Sequence, residues 1–375
     1  MNDLSIKWKD FYKNVFALVV PMALQNLINV GVTAADVVML GKVSEKVLSG
    51  ASLAGQIQYI MVLFLFGLTS GATVLTAQYW GKGDKTTIEK ILALGIRSAV
   101  IITAIFTIAA FTIPASLMRI FTNDPQVIAE GVKYLRIVAC SYIIMGITNV
   151  YLYVMRSIER VIVATVVYLV SFLCNVVFNA IFIFGLFGFP ALGIRGAAIA
   201  TLIARIMELV LVCGYAKIYN KDVKFRVHYF LHQDKLLVRD FLVYSLPVVL
   251  NEVMWGLGTS ANTAVLGHMG SSAVAANSVA QVARQLATVV SFGLSSATAI
   301  YLGKTIGERK FDHARAYAKR FIILSVVMGV IGGGLILIAS PVVISFLSLS
   351  ATARYYLKMM FYFYLKSCRE SMYIR

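Results

Sequence analysis

Acidic residues are scarce in this chain: Asp and Glu total 17 of 375 residues, against 34 Lys and Arg. All charged types together make up 14%, where a soluble domain carries ~25%. That excludes an ordinary water-soluble surface. Four cysteines, Cys140, Cys174, Cys213 and Cys368, show no CxxC or paired spacing, and three lie in apolar runs. They exclude a disulfide framework and a thiolate metal centre, and read as apolar fillers. Histidine is as rare, with four residues at loops or their edges. His228 and His232 share helical spacing but have no third ligand nearby, so they make no metal site. Enzyme chemistry has no carrier here. No nucleophile stands beside a base, and GKGD at Gly81 to Asp84 lacks the Lys-Ser/Thr that completes a phosphate loop.

What the chain has instead is apolar length. Hydrophobic residues make up 59%, with a mean hydropathy of +0.82, where soluble domains hold about 45–50% apolar residues. Spans of ~20 mostly apolar residues cross a bilayer as helices. Ten such stretches are predicted, near 14–40, 51–79, 91–117, 127–154, 161–186, 194–216, 240–266, 274–303, 321–347 and 352–365. The fold class is therefore an all-α integral membrane protein. The first span is longer than a signal segment and carries Gln25, Asn26, Asn29 and Asp36, so it is expected to be retained.

The net charge of +17 does not point to nucleic acid. Basic residues gather in short connections, as loops on the cytoplasmic side of a membrane do. With the N-terminus inside, Lys7, Lys9, Lys13, Lys82, Lys85, Lys90, Arg156, Arg160, Lys217, Lys221, Lys224, Arg226, Lys235, Arg239, Lys304, Arg309, Lys310, Arg315, Lys319 and Arg320 fall on the cytoplasmic face, against Lys42, Lys46, Arg119, Lys133, Arg136, Arg195, Arg354 and Lys358 on the other.

Advancing the sequence by 226 positions places Pro21 on Pro247, Leu24 on Leu250, Gly41 on Gly267, Phe66-Gly67-Leu68 on Phe292-Gly293-Leu294, Ser70 on Ser296 and Gly81 on Gly307. Two related halves are present. Six spans, an even number, separate them, so the repeats run parallel about an axis along the membrane normal, a pattern of transporters that bind substrate between lobes. The expected organisation is an N-terminal lobe at 1–217, a cytoplasmic linker at 218–239 and a C-terminal lobe at 240–375 that lacks its last two spans. Twelve spans are expected of the natural protein and about ten of this chain, which reads as C-terminally truncated, frameshifted or a fragment, with a genuine ten-span protein as the alternative.

One acid lies in the first span. A charged side chain at mid-membrane costs about 2.5–3.5 kcal/mol on insertion scales and marks function by default. Counting ~1.5 Å per residue from the helix ends puts Asp36, Asn179 and Thr201 in the outer half of the membrane. Asn175 lies one turn from Asn179 on the same face. A carboxylate, two amides and a hydroxyl are hard donors, suited to Na⁺ or to a proton exchanged for a cationic partner. Thr201 serves either that site or helix packing. In the second half Asn262 stands at the position of Asp36, and Glu252, one turn from Trp255, forms a second candidate for a cation. Arg205 and Glu208, three apart, are expected to pair.

The runs AADVVMLG, SGATVLTAQYWGKGD, NVVFNAIFIFG, GIRGAAIAT and LPVVLNEVMWGLG resemble the multidrug and toxic compound extrusion (MATE) family over essentially the whole chain. The resemblance implies two six-helix lobes and antiport, Na⁺ or H⁺ entering as small organic, often cationic, compounds leave. It implies a first-lobe cation site at Asp36, Asn175 and Thr201, with Asn179 where some members carry a second aspartate. It also implies a second-lobe site at Glu252, whose acidic partner in the tenth span has no match here. The expected protein is a monomeric multi-pass antiporter of the plasma membrane with no cofactor beyond Na⁺ or H⁺ and no nucleic-acid partner. A flippase for lipid-linked precursors, a non-transporting membrane receptor or channel, and an inactive truncated fragment are the alternatives.

Overall fold

The computed structural model describes residues 8–231, 234–268, 271–346, 355 and 359. Among them the backbone is helix, short 3₁₀ turns and loop, with no strand. The helices are α1 (Trp8–Gly41), α2 (Glu45–Gly81), α3 (Lys85–Thr112), α4 (Pro114–Arg119), α5 (Pro125–Val138), α6 (Tyr142–Ser157), α7 (Val161–Phe184), α8 (Ile194–Ile218), α9 (Val227–Leu231), α10 (Lys235–His268), α11 (Ser271–Gly307) and α12 (Phe311–Phe346). Among the described residues eight stretches are long and apolar enough to cross a membrane: α1, most of α2, α3, α5 with α6, α7, α8, the first part of α10 and the end of α11. This is a multi-pass membrane protein. The tenth predicted span, 352–365, lies outside the described residues apart from 355 and 359.

Helix ends sit where the sequence supplies caps. The Ser44 hydroxyl accepts from the N–H of Val47 at 3.2 Å, and the Asp84 carboxylate from that of Thr87 at 3.0 Å. Each satisfies an amide that the first helical turn leaves without a partner. Two predicted spans differ from the structure. The third stops at Thr112, because Pro114 has no N–H to continue the ladder and instead opens α4. The fourth is two helices, α5 and α6, joined by a 3₁₀ turn over Ala139–Ser141. Apolar periodicity is blind to such a change of winding.

By packing, the chain divides into two compact units. The larger comprises Ile28–Val253 and Gly303–Arg309. Its core lies among α2, α3, α5 and α6, where Met61, Ile91, Leu92, Leu135 and Met155 are fully buried, and α7 packs along α8. The segment after α8 is tied back onto this unit. The Asn220 side chain donates to the Tyr151 hydroxyl at 2.9 Å and to the Val223 carbonyl at 2.8 Å, and accepts from the N–H groups of Asp222 and Val223. Asp222 pairs with Lys85 and Arg160, each at 2.9 Å, and these hydrogen bonds hold its carboxyl below the usual carboxylate range. Glu89, buried in α3, pairs with Arg226 at 2.7 Å and accepts from the N–H of Lys224 at 3.0 Å.

In the same unit the end of α2 crosses the end of α11 at backbone contact. A Cβ added to Gly81 would strike the carbonyl oxygen of Lys304, and one added to Gly307 would strike that of Gln78. Beside this crossing Lys304 pairs with Glu159 at 2.7 Å.

The other unit comprises Met1–Leu27, Met254–Leu302 and Lys310–Arg375. An aromatic cluster joins its helices: Phe11 stacks on Tyr317 at 4.9 Å and meets Tyr301 and Phe321 edge-on. Gly293 lets α11 approach the backbone of α1 at Val19 and Ala23.

Candidate functional site

The polar residues of the larger unit form a seam between α7 and α8. On α7, Tyr168, Ser171, Asn175 and Asn179 recur at helical spacing and so share one face. On α8, Thr201, Arg205 and Glu208 do the same. The two faces meet: Asn175 Nδ2 donates to Thr201 Oγ1 at 3.5 Å, and the Ser171 hydroxyl donates to the Ala204 carbonyl at 3.3 Å. Small residues on α8, among them Gly196, Ala197, Ala200 and Ala204, let the helices approach closely enough for these bonds.

Asp36 of α1 closes one end of the seam. Asn179 Nδ2 donates to Asp36 Oδ1 at 2.5 Å and to Asn175 Oδ1 at 3.0 Å. This arrangement leaves Asn179 Oδ1 buried without a hydrogen-bond partner, although Asn179 itself is fully buried. A buried amide oxygen left without a partner costs about 1–3 kcal/mol, and a cation or water beside Asp36 would satisfy it. Tyr134 of α5 brings its hydroxyl beside Thr201. Four of the predicted residues, Asp36, Asn175, Asn179 and Thr201, therefore meet in one cluster. Glu252, partly buried, and Trp255, half-exposed, lie on α10. The side chain of Asn262 lies outside the described residues.

Beyond Thr201 the seam continues along α8. Arg205 Nη1 donates to Glu208 Oε2 at 2.7 Å. Glu208 is fully buried and its Oε1 has no hydrogen-bond partner, whereas the Arg205 side chain is 24% exposed. Tyr168 stands within electrostatic reach of both. Its hydroxyl donates to Asn149 Oδ1 at 3.3 Å and accepts from Arg156, which lies in the last turn of α6. Polar groups thus line a path from Asp36 to the end of the bundle that carries Lys82, Lys85, Arg156 and Arg160.

Tyr134 and Tyr168 escaped the sequence reading. Tyr168 had a usable signal, since it extends the polar stripe of α7. Tyr134 had none, because its role depends on α5 packing against α8.

Asp36 is the single formal charge of this cluster, and the rest are neutral oxygen and amide groups. Such a donor set suits a monovalent cation or a proton, and among the described residues no group of three His, Cys, Asp or Glu offers a divalent metal centre.

The family model described as MatE matches residues 21–181 and 247–368. A probable multidrug resistance protein NorM of Agrobacterium fabrum is 23% identical over 339 residues, which span 89% of this chain and 72% of that protein. A probable multidrug resistance protein YoeA of Bacillus subtilis is also 23% identical, over 72% of this chain and 59% of its own length. Across the first eight curated relatives the matched region spans 59% to 74% of their length. Among solved structures, an outward-facing multidrug resistance MATE family transporter of the MOP superfamily superposes with a TM-score of 0.84 at 19% identity, over 93% of this chain and 77% of that one. A MOP superfamily transporter from Pyrococcus furiosus, described as having a binding pocket of reversed polarity, superposes at 0.83 with the same identity and covers 93% and 76%.

Proposed function

This chain belongs to the MatE family, and we propose that it is a cation-coupled antiporter that exports small organic, often cationic, compounds. The observation that carries this reading is the Asp36 cluster. One carboxylate is held by Asn179, with an unpartnered buried oxygen beside it.

A carboxylate away from bulk water requires a counter-charge or a proton. Na⁺ or H⁺ entering from outside would take that place, with Asp36, Asn179, Asn175, Thr201 and Tyr134 supplying oxygen ligands or proton acceptors. Only a ligand that binds one conformation better than the other moves the equilibrium between them. Occupation of Asp36 changes the charge of the first lobe by one unit, and that difference is what favours the state that releases substrate outside. Coupling ion and substrate then alternate.

In this reading 1–217 and 240–375 are the two lobes and 218–239 the cytoplasmic linker. The protein is monomeric, sits in the plasma membrane and has its N-terminus inside, because Lys82, Lys85, Arg156, Arg160 and Lys217 share one face. Glu252 with Trp255 is a second-lobe candidate for the same ion. A flippase for lipid-linked pyrophosphates is less well supported, since such a headgroup calls for unpaired arginines and Arg205 is engaged with Glu208.

The test is efflux of an organic cation from proteoliposomes under an imposed Na⁺ or pH gradient, with this chain and with a form extended to the length of its relatives. Asp36→Asn should insert normally and lose gradient-driven efflux at least tenfold. Undiminished efflux in that variant would overturn the assignment.

A further inference from the structure

We propose that the segment between α8 and α10 is a lipid-binding surface that rests on the cytoplasmic leaflet and takes anionic phospholipid headgroups. The inference rests on the reading of 218–239 as the cytoplasmic linker, and it gives that linker a partner.

Both ends of the segment are fixed at the membrane surface. α8 is long and apolar enough to cross the bilayer and ends at Ile218, and α10 begins its own span at Lys235. Between them Asn220, Asp222 and Arg226 tie the chain to the larger unit. Val223 is buried there, and Phe230 packs against the core.

Other side chains of the segment stay outside. Val227 and Leu231, one turn apart and so on one side of α9, are 63% and 64% exposed. Phe225 before them and Leu236 after them are exposed as well. Apolar surface left in water is unfavourable. Around these residues stand Lys217, Lys221, Lys224, Lys235 and Arg239, all exposed, whose side chains form no ion pair among the described residues. Two acids share the segment. Asp222 is engaged by Lys85 and Arg160, and Asp234 accepts from the N–H of Leu236 at 3.0 Å, which leaves the cations in excess.

Exposed apolar side chains interleaved with unpaired cations suit a chain that lies in a membrane interface. The aliphatic groups enter the boundary between headgroups and acyl chains, and the ammonium groups meet phosphate. A soluble polyanion would meet the cations and leave Val227 and Leu231 in water, whereas an uncharged bilayer would do the reverse. An anionic bilayer takes both, and α8 and α10 already hold the segment beside one.

Hydrogen exchange on the full chain in nanodiscs tests this, comparing discs of phosphatidylcholine alone with discs that also contain phosphatidylglycerol. Amides of 224–231 should exchange at least about fivefold more slowly in the anionic discs, the effect of a single lysine near an anionic surface. Exchange in α7 should not change. Added salt should weaken the protection, because it screens exposed charges. Lys221→Gln combined with Lys224→Gln should remove most of it, and Val227→Ser combined with Leu231→Ser should leave a smaller protection that salt abolishes. The wild-type comparison carries the test even where a variant fails to fold. Equal exchange in the two kinds of disc would overturn the proposal. So would protection that survives the lysine substitutions, or equal protection from free glycerol phosphate in phosphatidylcholine discs, which would mark a phosphate site in place of a bilayer surface. Both leaflets of a disc have one composition, so those results leave the cytoplasmic assignment standing. That assignment fails only if a protease added outside intact cells cuts the segment.

Discussion

Gly81 and Gly307 stand 226 positions apart and lie at one helix crossing, each fitted against a backbone carbonyl of the other's helix. The carbonyls belong to Lys304 and Gln78, which are themselves 226 apart, so the same displacement relates both halves of the contact. A self-complementary patch of this kind is what a two-fold interface requires. The parallel repeat read from the sequence meets itself at this point.

A methyl group at either glycine has no space. Gly81→Ala and Gly307→Ala should each destabilise the protein by about 1–3 kcal/mol, the usual cost of overpacking. Thermal unfolding in detergent would show the loss, and Gly83→Ala, where a Cβ meets nothing within 4 Å, separates crowding from backbone strain at a nearby turn.

Asn179 donates to Asp36, so its replacement tests the charge of the site. Asn179→Asp places a second carboxylate against the first, which favours a bound cation and penalises an empty site. Sodium-dependent thermal stabilisation should increase at least several-fold in that variant. Asn179→Ala removes a donor from a charged group at a cost of about 1.5–3 kcal/mol, and efflux should fall with it.

Asn220 is buried and joins the segment after α8 to Tyr151, Val223 and the N–H of Asp222. Asn220→Ala strands several of these groups at once, and about 1–3 kcal/mol of stability should go with the first. Hydrogen exchange should quicken in residues 219–231 before it quickens in α7 or α8.

Asp222 supplies a pH dependence of definite sign. Its carboxyl is held below the ordinary range by Lys85 and Arg160, so its contribution is fully present above the unfolded carboxylate value of ~3.9. It is lost as pH falls through the folded value. Both partners are more than half exposed, so each pair is worth about 0–1 kcal/mol. Exchange in residues 219–231 should rise in strong acid in the wild type, and Asp222→Asn should show the faster exchange already at neutral pH.

Much of the membrane architecture was legible because hydropathy is a property of composition along the chain. Span positions, the parallel repeat and the single acid of the first span follow from which residues occur and in what order. Two boundaries were missed for a local reason. Pro114 ended one helix inside an apolar run, and Ala139–Ser141 tightened another without any change in hydropathy. Depth counting placed Asp36, Asn175, Asn179 and Thr201 at similar levels, yet it had no means of rotating α1, α7 and α8 toward one another.

The sequence by itself determined that this is a multi-pass helical membrane protein with an internal repeat and an isolated aspartate in its first span, since burying a charge or a polar backbone in lipid is too costly to leave other solutions. Only the tertiary structure decided which amide hydrogen reaches Asp36, that Asn179 Oδ1 and Glu208 Oε1 are left without partners, and that Tyr134 and Tyr168 join the seam. Those facts depend on the rotation and spacing of whole helices, which small-residue packing between α7 and α8 sets and which no one-dimensional pattern records.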